Sequence, residues 1–403
     1  MSRSFLPEKV RGEKTDLLLL TILVLLVGFG LACLFSASYF KAERLSGSPY
    51  YFLQKQLVLL CFGGAGAWFL SRLNLDLVRK AVPWLLAVSA LLMVAVFLPV
   101  WDAGEIYGAR RWIVKFGLSF QPSELAKLTV VLYLASMFAK KDGQLNDVGR
   151  SLLPPFAVSF FFVILTLFQN DYSTAMFLLF VILVLFFLAD VKLPYWFAVL
   201  GCAVGLGIFG VLSAPYRLER ILTFLSPGRD PSGSSFQTQA ARDALVAGGF
   251  FGAGFGAGTH KLGGIPEVHN DFILASVGEE TGLWGITLIF ILFGLLAWKG
   301  YQASLIQTDP FRKIVGLGVT TFLVYQVLIN AAVVVGAVPA TGVTLPFFSY
   351  GGSSVVISLL MGGLLLNLSR GMAAAPRPFV EWGAKGSAKP AGLFGRSSEG
   401  GSP

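Results

Sequence analysis

The residues best placed to do chemistry lie within 264–280. Glu267, His269, Asn270 and Asp271 run straight into an apolar stretch, 272–293, long enough to cross a bilayer. A carboxylate where an aqueous loop meets the membrane can act on a substrate whose head is in water and whose tail is in lipid. The plainer reading of Asp271 is a helix N-cap, with Asn270 as the rival cap. His269 is a second candidate base, but it is one of only 2 histidines and has no evident partner. On an ideal helix Glu279 lies about 80° round from Asp271, and Glu280 roughly opposite. Acids inside a span rarely face lipid, so at least one of these two must face protein or a cavity.

Four other stretches carry comparable signals. In 109–128, Arg110, Arg111 and Trp112 precede Gln121-Pro122-Ser123-Glu124-Leu125-Ala126-Lys127. Pro122 suits a first helical turn and Glu124 its positive end. Glu124 and Lys127, three apart, share a face and can pair. Lys127 would sit inside the membrane boundary, where a charge needs a cavity or a partner. It is either a wall against a phosphate or half of a self-contained ion pair, and Trp112 either joins that wall or anchors the interface. Asp171, in Gln169-Asn170-Asp171-Tyr172-Ser173-Thr174, is explained by capping alone. Segment 339–354 holds two prolines and three glycines beside Ser349 and Ser353. Irregular backbone at membrane depth must be buried in protein or line a cavity, so it is expected to form a re-entrant wall. In the long segment 214–270, Arg217 and Arg220 either grip a pyrophosphate through charged hydrogen bonds or touch lipid head groups. The glycines of 248–256 resemble a dinucleotide fingerprint only superficially, because no βαβ unit surrounds them. They suit tight turns and close packing instead.

These residues must be held by membrane helices. An ordinary soluble domain has roughly 25% charged residues; this chain of 403 residues has 13%, and 55% of it is hydrophobic. Apolar runs fall near 17–39, 57–70, 82–100, 124–139, 152–168, 173–189, 195–213, 272–298, 315–335 and 353–368. Each helical span needs about 20 residues, so several would be tilted or have half-buried ends. The expected fold is an all-α polytopic membrane protein of about ten transmembrane helices, with a large outer loop, 214–270, between the seventh and eighth. No internal repeat is evident, which weakens an inverted-repeat transporter. Residues 1–15 form a basic tail, 16–370 the membrane domain, and 371–403 a Gly-, Pro-, Ala- and Ser-rich tail expected to be disordered. The first apolar run is too long for a signal-peptide core and reads as an anchor. With the N-terminus inside, the inner segments carry the larger share of Lys and Arg, and an even number of spans returns the C-terminus inside. The net charge is +9, and the outer loops are basic too. Those outer bases serve either solubility or an anionic ligand such as a phosphate. Cys33, Cys61 and Cys202 lie in apolar runs and read as packing residues. No zinc-ligand spacing is present.

Taken together, the motifs resemble the SEDS family, the FtsW/RodA/SpoVE proteins. The resemblance rests on Arg111-Trp112 with 121–127, the glycine run 248–256, and Pro266-Glu267 with His269, Asp271, Phe272 and Ile273. It rests also on Thr341-Gly342, Leu345-Pro346 and 349–354, all in family order. Residues 109–112, 269–271 and 367–370 look closer to the division branch than to the elongation branch, with a sporulation paralogue also open. One departure is plain: where the family has Pro-Asp-hydrophobic-Gly-Thr, this chain has Asn170-Asp171-Tyr172-Ser173-Thr174, and the missing Pro and Gly put that turn in question.

The resemblance implies a peptidoglycan glycosyltransferase that polymerises lipid II on the outer face of the bacterial cytoplasmic membrane during division, releasing undecaprenyl pyrophosphate. The family's essential aspartate maps onto Asp271, expected to be the general base. Arg111, Trp112, Glu124, Lys127, Asp171, Arg217, Arg220, His269, Glu279, Ser349 and Ser353 are the expected substrate-binding residues. The reaction would invert the anomeric centre in a single attack. No cofactor is assigned, although magnesium or manganese on the pyrophosphate is compatible. Implied partners are lipid II, a class B penicillin-binding protein and other division proteins, with no nucleic acid. The implied location is the inner membrane at the septum, multi-pass, with both termini cytoplasmic. The competing readings are a lipid II flippase, an elongation-type polymerase of the RodA kind, and a non-catalytic scaffold. The last would leave Lys127 and Glu279 unexplained.

Overall fold

A computed structural model describes residues 15–98, 110–115, 118–140, 148–226, 234–262 and 265–370. The expected tails, 1–15 and 371–403, lie outside it except for Thr15. The chain is an all-α polytopic membrane protein, and its helices begin and end where local chemistry directs. Helix α1 (Leu17–Ser46) starts where Asp16 accepts from the N–H groups of Leu18 and Leu19, and stops at Gly47 in the left-handed region. Then come α2 (Tyr51–Arg72), α3 (Leu75–Ala95), α4 (Pro122–Lys140), α5 (Leu153–Phe168), α6 (Tyr172–Leu188) and α7 (Leu193–Leu212). The large loop contributes α8 (Pro215–Leu225) and α9 (Ser234–Gly248), before α10 (Ile273–Leu305), α11 (Pro310–Val334) and α12 (Gly352–Ser369).

Seven of these, α1, α2, α3, α7, α10, α11 and α12, are long and apolar enough to cross a membrane. Helices α5 and α6 are apolar but have only 16 and 17 residues. Helix α4 has the length but is less apolar. The figure of ten spans therefore stays an expectation, resting on those three. The reason for α4 lies in packing. It is the central helix, buried along nearly its whole length against α3, α6, α11 and α12. A helix surrounded by protein can carry Glu124 and Lys127 where a lipid-facing one could not.

Two features depart from the sequence reading. The segment before α4 departs from the all-α expectation. It forms an antiparallel hairpin, β1 (Ile113–Lys115) with β2 (Leu118–Phe120), in which Ile113 faces Phe120 across the pair. β-Branched and aromatic residues favour such pairing, but three-residue strands are too short to show alternation. The hairpin is docked where the Gln121 N–H donates to Ser353 Oγ at 2.9 Å. Secondly, α10 is broken at Gly282, which takes φ 66° and ψ −161°. The glycine run 248–256 lies directly against this break. A Cβ at Gly252 or Gly282 would collide with the other segment's backbone, so both positions need glycine for close approach.

Candidate active site

The end of the bundle where α4, α10 and α12 begin encloses a cavity of about 280 Å³. Three pieces build its wall: the hairpin with the first turns of α4, the loop entering α10, and the irregular segment between α11 and α12. Arg111, Trp112, Gln121, Glu124, Lys127, Glu267, Asn270, Asp271, Gly342, Thr344, Tyr350 and Ser354 line it, among others. The expected re-entrant wall is therefore present.

Asp271 stands just before α10, and its own main chain is fixed from behind. Asn330 in α11 donates through Nδ2 to the carbonyl of Asp271 and to that of Val343, each at 2.8 Å. One turn earlier, Gln326 Nε2 donates to the Thr344 carbonyl at 2.9 Å. Two amides on one helix thus hold the aspartate and the re-entrant segment together. Gly342, at φ 73°, passes so close that a Cβ there would stand 3.2 Å from Asp271 Oδ2. Asp271 caps nothing: the α10 N-terminus has no side-chain cap. Among the described residues its carboxylate makes no ion pair. Burial pushes this carboxyl up to about 6, with the charges of Arg111 and Arg220 opposing and those of Glu267 and Asp171 assisting. The group stays mainly ionised at neutral pH but is a stronger base than an ordinary aspartate.

Cations surround it. Lys127 Nζ is 2.7 Å from Glu124 Oε1, only 4% exposed, and lies over the Phe177 and Phe322 rings. It pairs with Glu124 and also lines the cavity. Arg111 reaches the cavity while its Nη1 donates to Asp171 Oδ1 at 3.1 Å. Asp171, 1% exposed, also accepts from Gln121 Nε2 at 2.8 Å and from the Thr174 N–H at 3.3 Å. It caps α6 as expected and steadies Arg111 and Gln121 from behind without lining the cavity itself. Arg220 is exposed on α8, near enough for its charge to act on Asp271.

Five other expected residues are not brought into the cavity. Arg217 is turned inward. It donates to the Gly210 carbonyl at 2.7 Å, to Tyr216 Oη at 2.9 Å and to Asn170 Oδ1 at 3.1 Å. It ties α8 to the α5–α6 turn, and in that turn Asn170 adopts φ 59°. Asparagine tolerates this conformation, whereas a proline fixed near −65° could not; the departure from the family motif thus has its own turn geometry. His269 packs on Phe52 and Tyr350 with ring centroids 4.5 and 5.9 Å away. Burial, helped by Lys41 and opposed by Glu267, pulls it down to about 4, so it is neutral at pH 7. Ser349 Oγ accepts from the Leu345 N–H at 2.8 Å, and Ser353 is taken by Gln121. Glu279 accepts from the Thr259 N–H at 2.6 Å and pairs with His260 Nδ1 at 2.9 Å. Its neighbour Glu280 binds Ser36 Oγ and Lys261 Nζ, both at 2.6 Å, and the Gly256 N–H at 3.0 Å. Both acids face protein, as the cost of lipid exposure demands.

Sequence reasoning missed Gln121, Asn330, Gly342, Thr344 and Ser354. A signal existed for Asn330 and Gln326, because amides inside an otherwise apolar span seek partners across helices. Neither was weighed.

A family model described as "Cell cycle protein", FTSW_RODA_SPOVE, matches residues 16–373. The chain is 37% identical over 367 residues to a probable peptidoglycan glycosyltransferase FtsW of Trichlorobacter lovleyi, covering 91% of this chain and 96% of that one. It is 36% identical over 357 residues to stage V sporulation protein E of Bacillus subtilis, covering 88% and 97%. Among solved structures, a chain of a peptidoglycan synthase complex that coordinates polymerization and crosslinking superposes with TM-score 0.73 at 29% identity, covering 89% and 98%. The rod shape determining protein RodA of Thermus thermophilus superposes with TM-score 0.65 at 27% identity, covering 90% and 98%.

Proposed function

The chain belongs to the FtsW/RodA/SpoVE family, and on that premise we propose that it is a peptidoglycan glycosyltransferase polymerising lipid II at the outer membrane surface during division. The observation that supports this most is one cavity holding a carboxylate of raised basicity, Asp271, among the cations Arg111 and Lys127. An acceptor sugar hydroxyl attacks the anomeric carbon of the donor chain. Asp271 takes the hydroxyl proton as the new glycosidic bond forms. The bond from that carbon to the pyrophosphate oxygen breaks, and undecaprenyl pyrophosphate leaves with both electrons. Arg111 and Lys127 stabilise the charge that grows on it. One displacement inverts the centre, so no covalent glycosyl–enzyme species is needed.

Among the described residues no three His, Cys, Asp or Glu side chains converge as an ion cage. Glu267 is held by Lys41 and Asn270, and Glu124 by Lys127. These residues offer no built cation cage, so a magnesium or manganese ion would be carried by the pyrophosphate oxygens themselves, leaving Asp271 to the acceptor hydroxyl. Its contribution would be to neutralise the leaving group.

The Lys and Arg distribution supports cytoplasmic termini, and the likeness to FtsW relatives supports a septal location. The proposed partner is a single-span class B penicillin-binding protein that cross-links the strands made here. Gly201 and Gly205 on α7 have nothing within 4 Å of where a Cβ would stand. Among the described residues no other span packs on them, which leaves this face of α7 open to a neighbour. If that partner positions the outer loop, polymerisation should be low alone and rise on co-purification. The test of the reading is purified protein given lipid II, with glycan chains resolved on a gel. Polymer formation supports it. Translocation of labelled lipid II without polymer would favour the flippase.

A further inference from the structure

A second cavity, of about 640 Å³, opens at the opposite end of the bundle between α1, α2 and α12. Its walls are apolar, including Leu23, Val27, Leu60, Ala67, Leu359 and Leu366, and its floor is opened by Gly28 and Gly64. Along α2 it extends from Leu60 to Arg72, or about 18 Å of helix rise. That is close to one leaflet of a hydrocarbon core about 30 Å thick. At the helix ends the character changes. Arg72, Arg370, Ser71 and Thr15 line the mouth, and no carboxylate does among the described residues. Arg72 is held over the Trp68 ring at 4.9 Å. The Nε of Arg370 is buried without a hydrogen-bond partner. Neither arginine makes an ion pair among the described residues. The nearby Lys299, by contrast, is neutralised by Asp16 at 2.9 Å.

We infer that this groove binds an anionic phospholipid of the leaflet at that face, cytoplasmic in the orientation proposed above. One acyl chain lies along α2 and α12, and the phosphate sits between Arg72 and Arg370. The apolar length matches a chain in one leaflet. Two guanidinium groups, each shaped to donate paired hydrogen bonds to phosphate oxygens, select the charge. Basic pockets between spanning helices at the cytoplasmic side recognise acidic head groups in this way. The groove is remote from Asp271 and takes no part in the chemistry.

The test is native mass spectrometry of the full chain in detergent, given equal phosphatidylglycerol and phosphatidylcholine of identical acyl chains. The wild type is expected to retain phosphatidylglycerol at least several-fold over phosphatidylcholine. Arg72→Gln with Arg370→Gln should bring the two to parity at an unchanged melting temperature. Gly64→Leu should reduce retention of both lipids. A Cβ there meets nothing within 4 Å, so the fold is kept while the groove is filled. Equal retention of the two lipids by wild type, or an undiminished preference in the double variant, would overturn the inference. So would displacement of bound phosphatidylglycerol by undecaprenyl phosphate at a lower concentration, which would reassign the groove to prenyl lipids.

Discussion

Asp271 and the pair Glu279–Glu280 sit eight and nine positions apart, and both regions hold acids at the N-terminal end of α10, yet they are built to opposite ends. Around Glu279 and Glu280 the loop 256–261 folds back and saturates both carboxylates with backbone N–H groups, Ser36, His260 and Lys261. Around Asp271 the protein instead ties down the main chain, through Asn330, and leaves the carboxylate facing the cavity. A saturated acid is a fastener, because its free energy is already committed to fixed donors. An acid whose backbone is fixed and whose oxygens are free of fixed donors is available to substrate. Partner count, rather than burial or position, separates the structural acids from the proposed base.

Breaking the fastener should therefore cost stability. Glu280→Ala leaves Lys261 as a buried unpaired charge, since both side chains are at most 3% exposed. The expected loss is about 3–5 kcal/mol, read as a lowered melting temperature in detergent. A variant that melts like wild type would remove the contrast. In the cavity wall, Lys127→Ala should lower kcat/KM for lipid II by about 10- to 100-fold, the worth of a charged hydrogen bond of about 1.5–3 kcal/mol. Unchanged kinetics would reduce Lys127 to a partner of Glu124. Arg217→Ala provides the complementary case. With its guanidinium spent on Gly210, Tyr216 and Asn170, it should lose about 1–3 kcal/mol of stability and keep its KM. A raised KM at full stability would return it to the substrate site.

Acid should act through Asp271. Its carboxyl is raised to about 6, and the proposed base works in its ionised form, so polymerisation should fall as pH drops through about 6. An ordinary aspartate would hold activity down to nearly pH 4. The kcat/KM–pH profile reads this directly. The smallest effect is expected from Gly342→Ala. A Cβ at 3.2 Å from Asp271 Oδ2 and a positive φ cost about 1 kcal/mol or somewhat more. They should shift the acid limb of the profile more than the melting temperature.

The helices were legible because long apolar runs have few alternatives, and the cavity wall was legible wherever an unusual residue met the membrane boundary. Lys127, Asp271 and the 339–354 segment are of that kind. What was illegible depended on contacts between distant segments. Arg217 and Arg111 look alike as sequence, and only the Gly210 carbonyl, Tyr216 and Asn170, gathered round α8, turn the first inward. Glu279 looked as available as Asp271 until the loop at 256–261 closed on it. The hairpin was hidden by the shortness of its strands. Asn330 was legible in principle, as an amide in an apolar span, but nothing local says that its partners are the Asp271 and Val343 carbonyls.

The central claim is that Asp271 acts through its unpartnered carboxylate. The direct measurement is glycan product formed from lipid II by Asp271→Asn, on a preparation whose melting temperature equals that of wild type. The amide keeps the shape and the Asn330 contact to the main chain but cannot take a proton. The account predicts a loss of at least about 10²-fold, the usual contribution of a general base. Polymerisation near the wild-type rate by that folded variant would contradict it.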